Sequence, residues 1–219
     1  SSDLAFAALT VAFGVDVWQH AIHTNPHIVT AAFLAANLFF LTRWAARGAA
    51  DRRWLYAFAL SAGLGVTHHP LTVIPFIAYA VFILIVRPRI LLDWRAVVGM
   101  VLFVVLGLAV WLYFPLRSPM GLVYGPSTMN TVSGFLDHVL ARGLSESLPY
   151  VGAADIPNRA IVFWSILRLQ YALPVIFLAL MGLIWPLLER KLTPSAETRP
   201  VAAWKPITLY ALVFLSNYA

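Results

Sequence analysis

Long apolar runs alternate with short basic stretches along this chain. Seven such segments stand out: Leu4–Val17, His27–Trp44, Trp54–His68, Leu71–Val86, Ala96–Leu116, Tyr171–Leu188 and Ile207–Ala219. Several reach or approach the ~20 residues that carry a helix across a ~30 Å hydrocarbon core; the first is marginal and the last is cut off. The pattern predicts an all-α fold, a polytopic transmembrane helix bundle of about seven spans, forming one domain over residues 1–219. The chain starts at Ser1 rather than Met and stops at Ala219 inside an apolar run, so it reads as a fragment of a longer protein. The one long connection, 117–170, is predicted to carry helices of its own. In "TVSGFLDHVLARGL", Val132, Phe135, Leu136, Val139 and Leu140 share a helical face. That face suits a helix lying on the membrane surface or one packed on the bundle. A second helix is expected over Arg159–Gln170, leading into the sixth span, with the turn-rich "SESLPYVGAADIPN" between them.

Composition agrees with a membrane setting. Hydrophobic residues make up 61% and charged residues 11%, against about 25% charged in soluble domains. Cysteine is absent, which excludes disulfides and thiolate metal sites. In a soluble protein the net charge of +6 would suggest nucleic acid; here its distribution sets topology. Basic residues gather in three connections: Arg43, Arg47, Arg52 and Arg53; Arg87, Arg89 and Arg95; and Arg190, Lys191, Arg199 and Lys205. Positive residues mark cytoplasmic loops. Residues 18–26, the 68–70 turn and the 117–170 loop are then extracytoplasmic. Trp44, Trp54, Trp94 and Trp204 fall at the inner interface, where an aromatic belt belongs.

This topology sends all six histidines to the outer side: His20, His23, His27, His68, His69 and His138, with Asp16, Asp137, Glu146 and Asp155. Trp54 to His69 covers roughly 24 Å of helix at 1.5 Å per residue, short of the ~30 Å core. The tip at His68–Pro70 is therefore predicted to sit below the outer surface, where an ionisable side chain is a functional-site hypothesis. The plainer reading is that both histidines only hydrogen-bond loop backbone. Gly63 and Gly65 would let a neighbouring helix come close. Asp16, His20 and His23 share a face at i, i+4, i+7, and imidazoles there could ligate a metal. The spacing matches no specific metal motif, and polar residues at the wet end of a span explain it as well, so no metal is assigned. Arg117 in "YFPLRSP" emerges at the outer interface, where a guanidinium fork suits a phosphate; snorkelling to ordinary lipid is the alternative. Arg168 and Gln170 carry the same two readings. No phosphate-binding loop, nucleophile elbow or H-E-x-x-H appears. Nucleic acid is not an expected partner.

Five blocks in order carry a resemblance: "VWQHAIHTNPHIVTAAFLAANLFFLTRW", "RRWLYAFALSAGLGVTHHPLTVIPF", "WLYFPLRSP", "GPSTMNTVSGFLDHVLAR" and "LRLQYALPVIFLALMGLIWPLL". Together they resemble a prokaryotic multi-pass membrane family, formerly of unknown function, related to protein O-mannosyltransferases. The resemblance implies a glycosyltransferase of the C-type fold in the plasma membrane. Such an enzyme takes a sugar from a polyprenyl-phosphate carrier and delivers it to a hydroxyl of a protein or glycan on the extracytoplasmic side. The family's acidic residue in the first outer loop would lie upstream of Ser1. Where relatives read Glu-Val-Tyr, this chain reads Asn25-Pro26-His27, which moves the base role to His27 or leaves this copy inactive. Arg117 and Arg168 would hold the lipid phosphate, with His68 and His69 lining the sugar or phosphate pocket. Metal dependence stays open. The alternative function is a non-enzymatic membrane bundle, transporter-like or an assembly subunit.

Overall fold

The computed structural model describes residues 2–22, 26–120, 129–140, 142, 153–192 and 204–218. Among these the regular structure is helical throughout. The helices are α1 (Ser2–Ala12), α2 (Val15–Ile22), α3 (Pro26–Ala46), α4 (Arg52–His68), α5 (Phe76–Val86), α6 (Trp94–Leu108), α7 (Tyr113–Arg117), α8 (Val132–Val139), α9 (Ile156–Gln170), α10 (Leu173–Leu192) and α11 (Trp204–Tyr218).

The expectation of seven spans is corrected. Among the described residues two helical stretches are long and apolar enough to cross a membrane, His27–Ala46 and Trp94–Met120. A third counts only if α9 and the first part of α10, bent 109° at Tyr171–Ala172, are taken as one broken span. These helices mark the chain as membrane-associated. Local chemistry explains the lower count. The first segment breaks at Phe13–Gly14 into α1 and α2. Pro70 starts a 3₁₀ turn, Pro70–Val73, and Pro75 caps α5 without a side-chain bond, so the fourth segment yields an 11-residue α-helix. Proline cannot donate to the preceding turn and resets the helix start. The fifth segment instead runs longer than expected, through 3₁₀ turns at Ala109–Leu112 and Ser118–Met120. Arg159–Gln170 is helical as expected, but its helix meets α10 at a sharp angle rather than leading straight into it. The loop helix forms at Val132–Val139, capped by Thr131 Oγ1, which accepts from the Gly134 N–H at 3.1 Å.

Packing centres on α4, which lies between α3 and α6. A Cβ built on Gly63 would meet the Val104 carbonyl oxygen at 2.5 Å, and one on Gly107 would meet the Leu64 nitrogen at 2.7 Å. The backbones of α4 and α6 therefore touch, which only residues without side chains permit. Gly65 faces the other neighbour, Phe33 of α3. Helix α5 packs chiefly on α11, and α11 also meets α3. Leu41, Trp44, Leu55, Phe58, Tyr79, Phe82 and Leu209 form the buried centre.

One end of the bundle is tied by charge. Asp93 accepts two bonds from Arg52 Nη2, at 2.9 and 3.0 Å, and one from Arg87 Nη2 at 3.2 Å. Its Oδ1 also caps α6 by accepting the Ala96 N–H. Arg87 reaches back to the carbonyl of Ala49 at 3.1 Å. Ala49 has φ 59, a left-handed conformation costing on the order of 1–2 kcal/mol for a residue with a Cβ. The knot joins the α3–α4 and α5–α6 turns, so both lie at the same end of the bundle.

Candidate functional site

The opposite end of α3 and α4 carries the histidines. α4 stops at His68 because His69 turns extended (φ −152, ψ 129) before Pro70, as a residue preceding proline prefers. The His69 N–H still reaches the Gly65 carbonyl at 3.1 Å. Its side chain then caps the following turn: Nδ1 accepts the Leu71 N–H at 3.2 Å. Its carbonyl accepts both the Thr72 N–H, at 3.1 Å, and the Thr72 hydroxyl, at 2.7 Å. An Nδ1 that accepts cannot carry a proton, so the neutral ring is the Nε2–H tautomer.

Two further histidines stand beside it. The ring of His27, in the first turn of α3, lies 5.5 Å from that of His69, centroid to centroid. His68 faces Phe33 of α3 at 6.3 Å. Burial, and then the proximity of His27 and His68, hold the His69 imidazole below its ordinary 6.5. Three chemistry-bearing side chains from α3 and from the end of α4 thus share one tip. His27 and His68 are exposed there and His69 is half-buried, so their nitrogens can meet a ligand at the tip.

The remaining expected residues fall elsewhere. Arg117 is exposed at the end of α7, and its Nη1 donates to Met120 Sδ at 3.2 Å. Among the described residues it makes no hydrogen bond to the histidines. Arg168 is exposed in the last turn of α9. Helix α9 packs on α2, and a Cβ on Gly14 would find Tyr171 Oη and Gln170 Oε1 within 4 Å. His138 of α8 sets its ring edge-on to Phe114 at 4.8 Å, so the loop helix docks on the far end of the α6–α7 rod. Asp137 on the same helix pairs with Arg142 at 2.9 Å. His23, Asn25 and Glu146 lie outside the described residues, as do the side chains of Asp16, His20, Arg190, Lys191, Arg199 and Trp204. The Asp16–His20–His23 set therefore gains no geometry.

Sequence reasoning missed the Arg52–Asp93–Arg87 knot, whose members are up to 41 residues apart. A usable signal existed: Asp93 is a lone carboxylate within the second basic connection. It also missed two guanidiniums stacked on Trp54, those of Arg43 at 5.4 Å and Arg47 at 5.2 Å.

Residues 3–91 match the family described as Protein O-mannosyl-transferase TMEM260 N-terminal domain. That stretch contains His27, His68 and His69 and stops short of Asp93, Arg117 and Arg168. No curated protein matches the chain, and no solved structure does.

Proposed function

We propose that this chain belongs to a multi-pass membrane glycosyltransferase that moves a sugar from a polyprenyl-phosphate carrier to an acceptor hydroxyl at the histidine end of the bundle. The observation that carries the reading is the coincidence of the matched stretch with the histidine tip: all three rings lie within residues 3–91. The matched family's name points to mannose and a protein acceptor. The side rests on the basic turns, which collect at the opposite end and favour the cytoplasm.

The chemistry asks little of the protein beyond position and charge. The acceptor oxygen attacks the anomeric carbon as the bond from that carbon to the lipid phosphate breaks, and the hydroxyl proton passes to a base. His27 is the assigned base. His69 has its Nδ1 committed to the Leu71 N–H and serves as a neutral wall beside it. His68 lines the pocket for sugar or phosphate. The departing phosphate gains negative charge and calls for a guanidinium; Arg117 and Arg168 fill that role once substrate draws them in.

The test supplies the full-length protein, in lipid, with polyprenyl-phosphate mannose and a Ser/Thr-bearing peptide. A general base contributes on the order of 10²–10⁴ in rate, so His27→Ala should lose kcat by that factor, whereas Arg117→Ala should weaken use of the lipid phosphate. Transfer at the wild-type rate in His27→Ala removes the base role. No transfer by an intact, folded protein leaves the non-enzymatic bundle standing.

A further inference from the structure

A groove of about 410 Å³ runs along the seam between α3 and α4. Small side chains open it, Ala32 and Ala36 on one helix and Ala57 and Ser61 on the other, and its lining is almost wholly apolar. From Val29 to Phe40 it extends over about 16 Å at 1.5 Å per residue. That is about the depth of one leaflet, half of a ~30 Å core. The groove does not end in apolar surface. Phe40 lines it, and the Phe40 and Trp54 rings are 6.2 Å apart. One turn beyond Phe40, Arg43 lies over Trp54 at 5.4 Å and over Phe39 at 6.0 Å. Arg47 covers Trp54 as well, at 5.2 Å. Against these two guanidiniums stands one carboxylate. Asp51 reaches Arg47 at 3.4 Å and spends its other oxygen on the Arg53 N–H. Among the described residues no carboxylate pairs with Arg43.

We infer that this seam is a binding site for an anionic phospholipid. One acyl chain lies in the α3–α4 groove, and the phosphate is held by Arg43 and Arg47 on the Trp54 platform. Charge decides the occupant and its direction. Two permanent cations mark this end of the groove, whereas the other end leads to His68 against Phe33. A guanidinium forks onto two phosphate oxygens; Arg43 over the Trp54 ring pairs with no carboxylate among the described residues, and Arg47 shares only one Nη with Asp51. The small residues let the chain lie between the helices rather than merely beside them. The phosphate end of the site lies away from the histidines, and lipid binding there does not depend on sugar transfer.

Native mass spectrometry of the full-length protein in detergent, titrated with phosphatidylglycerol, phosphatidylcholine or polyprenyl phosphate, tests it. Phosphatidylglycerol should be retained at least about tenfold better than phosphatidylcholine. The Arg43→Gln/Arg47→Gln pair should abolish that preference, and Ala36→Phe should block the groove and lower retention of both phospholipids. Arg89→Gln, an exposed cation near the same end, should change nothing. Thermal midpoints identify any variant that fails to fold, and the arginine pair, being exposed, keeps the test independent of the groove variant. Equal retention of the two phospholipids overturns the proposal. So does a loss in Arg89→Gln as large as in the pair, which would mean diffuse attraction. Preferred retention of polyprenyl phosphate, lost in His68→Ala, would reverse the lipid's direction and equally overturn it.

Discussion

At the scale of single residues, two side chains do more than their local sequence announces. Asp93 serves two guanidiniums and a helix N-terminus at once. The Arg52 hydrogen bonds foremost, with the Ala96 N–H and the charges of Arg52 and Arg87, hold its carboxyl below the usual 3.8. A depressed carboxylate stabilises the fold fully above its unfolded value, and that contribution drains away as pH falls through the folded one. Thermal melts of full-length protein should therefore lose stability with acid below about 3.8. Asp93→Asn should melt lower at neutral pH and respond less to that acid range. His69 works in the same sense at higher pH, because its folded value is also depressed. Its imidazole titrates below 6.5 because the fold prefers the neutral ring, and a proton on Nδ1 would abolish the cap on Leu71. Its contribution is complete above 6.5 and shrinks as pH drops through and below that value. His69→Ala should cost about 1 kcal/mol, the usual worth of a cap, while His69→Asn should retain most of it. Equal losses for the two variants in a denaturant melt would mean that the ring is held for packing rather than for its nitrogen.

At the scale of elements, α4 is defined by what its glycines allow. Gly63 admits the backbone of α6, so even one methyl there has nowhere to go. Gly63→Ala should destabilise by about 1–3 kcal/mol, the range for overpacking. Gly65→Ala should cost less, because its nearest obstacle is the Phe33 side chain at 3.3 Å. Comparing the two by thermal unfolding in one detergent checks the ordering. The sequence made α3, α4 and the long helix of Trp94–Met120 legible through apolar length alone, and the glycine pair through residue size. It did not give the number of crossings. Apolar length cannot report that Pro70 and Pro75 convert the start of one run into a 3₁₀ turn, or that Gly14 splits another. The histidine tip was legible as an oddity, but the companionship of His27 and His69 is a product of the helix hairpin, 42 positions apart. No local window contains it.

At the scale of the molecule, the two ends of the α3–α4 hairpin differ in kind: guanidiniums and two carboxylates at one, imidazoles at the other. The natural lack of cysteine makes this directly measurable. In cells expressing full-length protein freed of any other cysteine, His68→Cys and Arg89→Cys should react with an impermeant maleimide from opposite faces of the membrane. Labelling of both from the same face would undo the orientation on which the transfer reading rests.

The direct contact between α4 and α6 also sets the order in which helices find their partners during synthesis. Because those two helices close directly on each other, the helix made between them, α5, finds its main partner in α11. Val86 ends the one and Trp204 begins the other. At a synthesis rate of about 5–20 residues per second, α5 waits roughly 6 to 24 s for the surface that will shield it. During that interval Tyr79 already has the Phe58 ring of α4 at 5.3 Å, but Ala78 and Phe82, buried in the finished molecule, still lack the α11 surface. Nascent chains halted before residue 204 should therefore cross-link to membrane insertion factors through α5, and chains released after residue 218 should not.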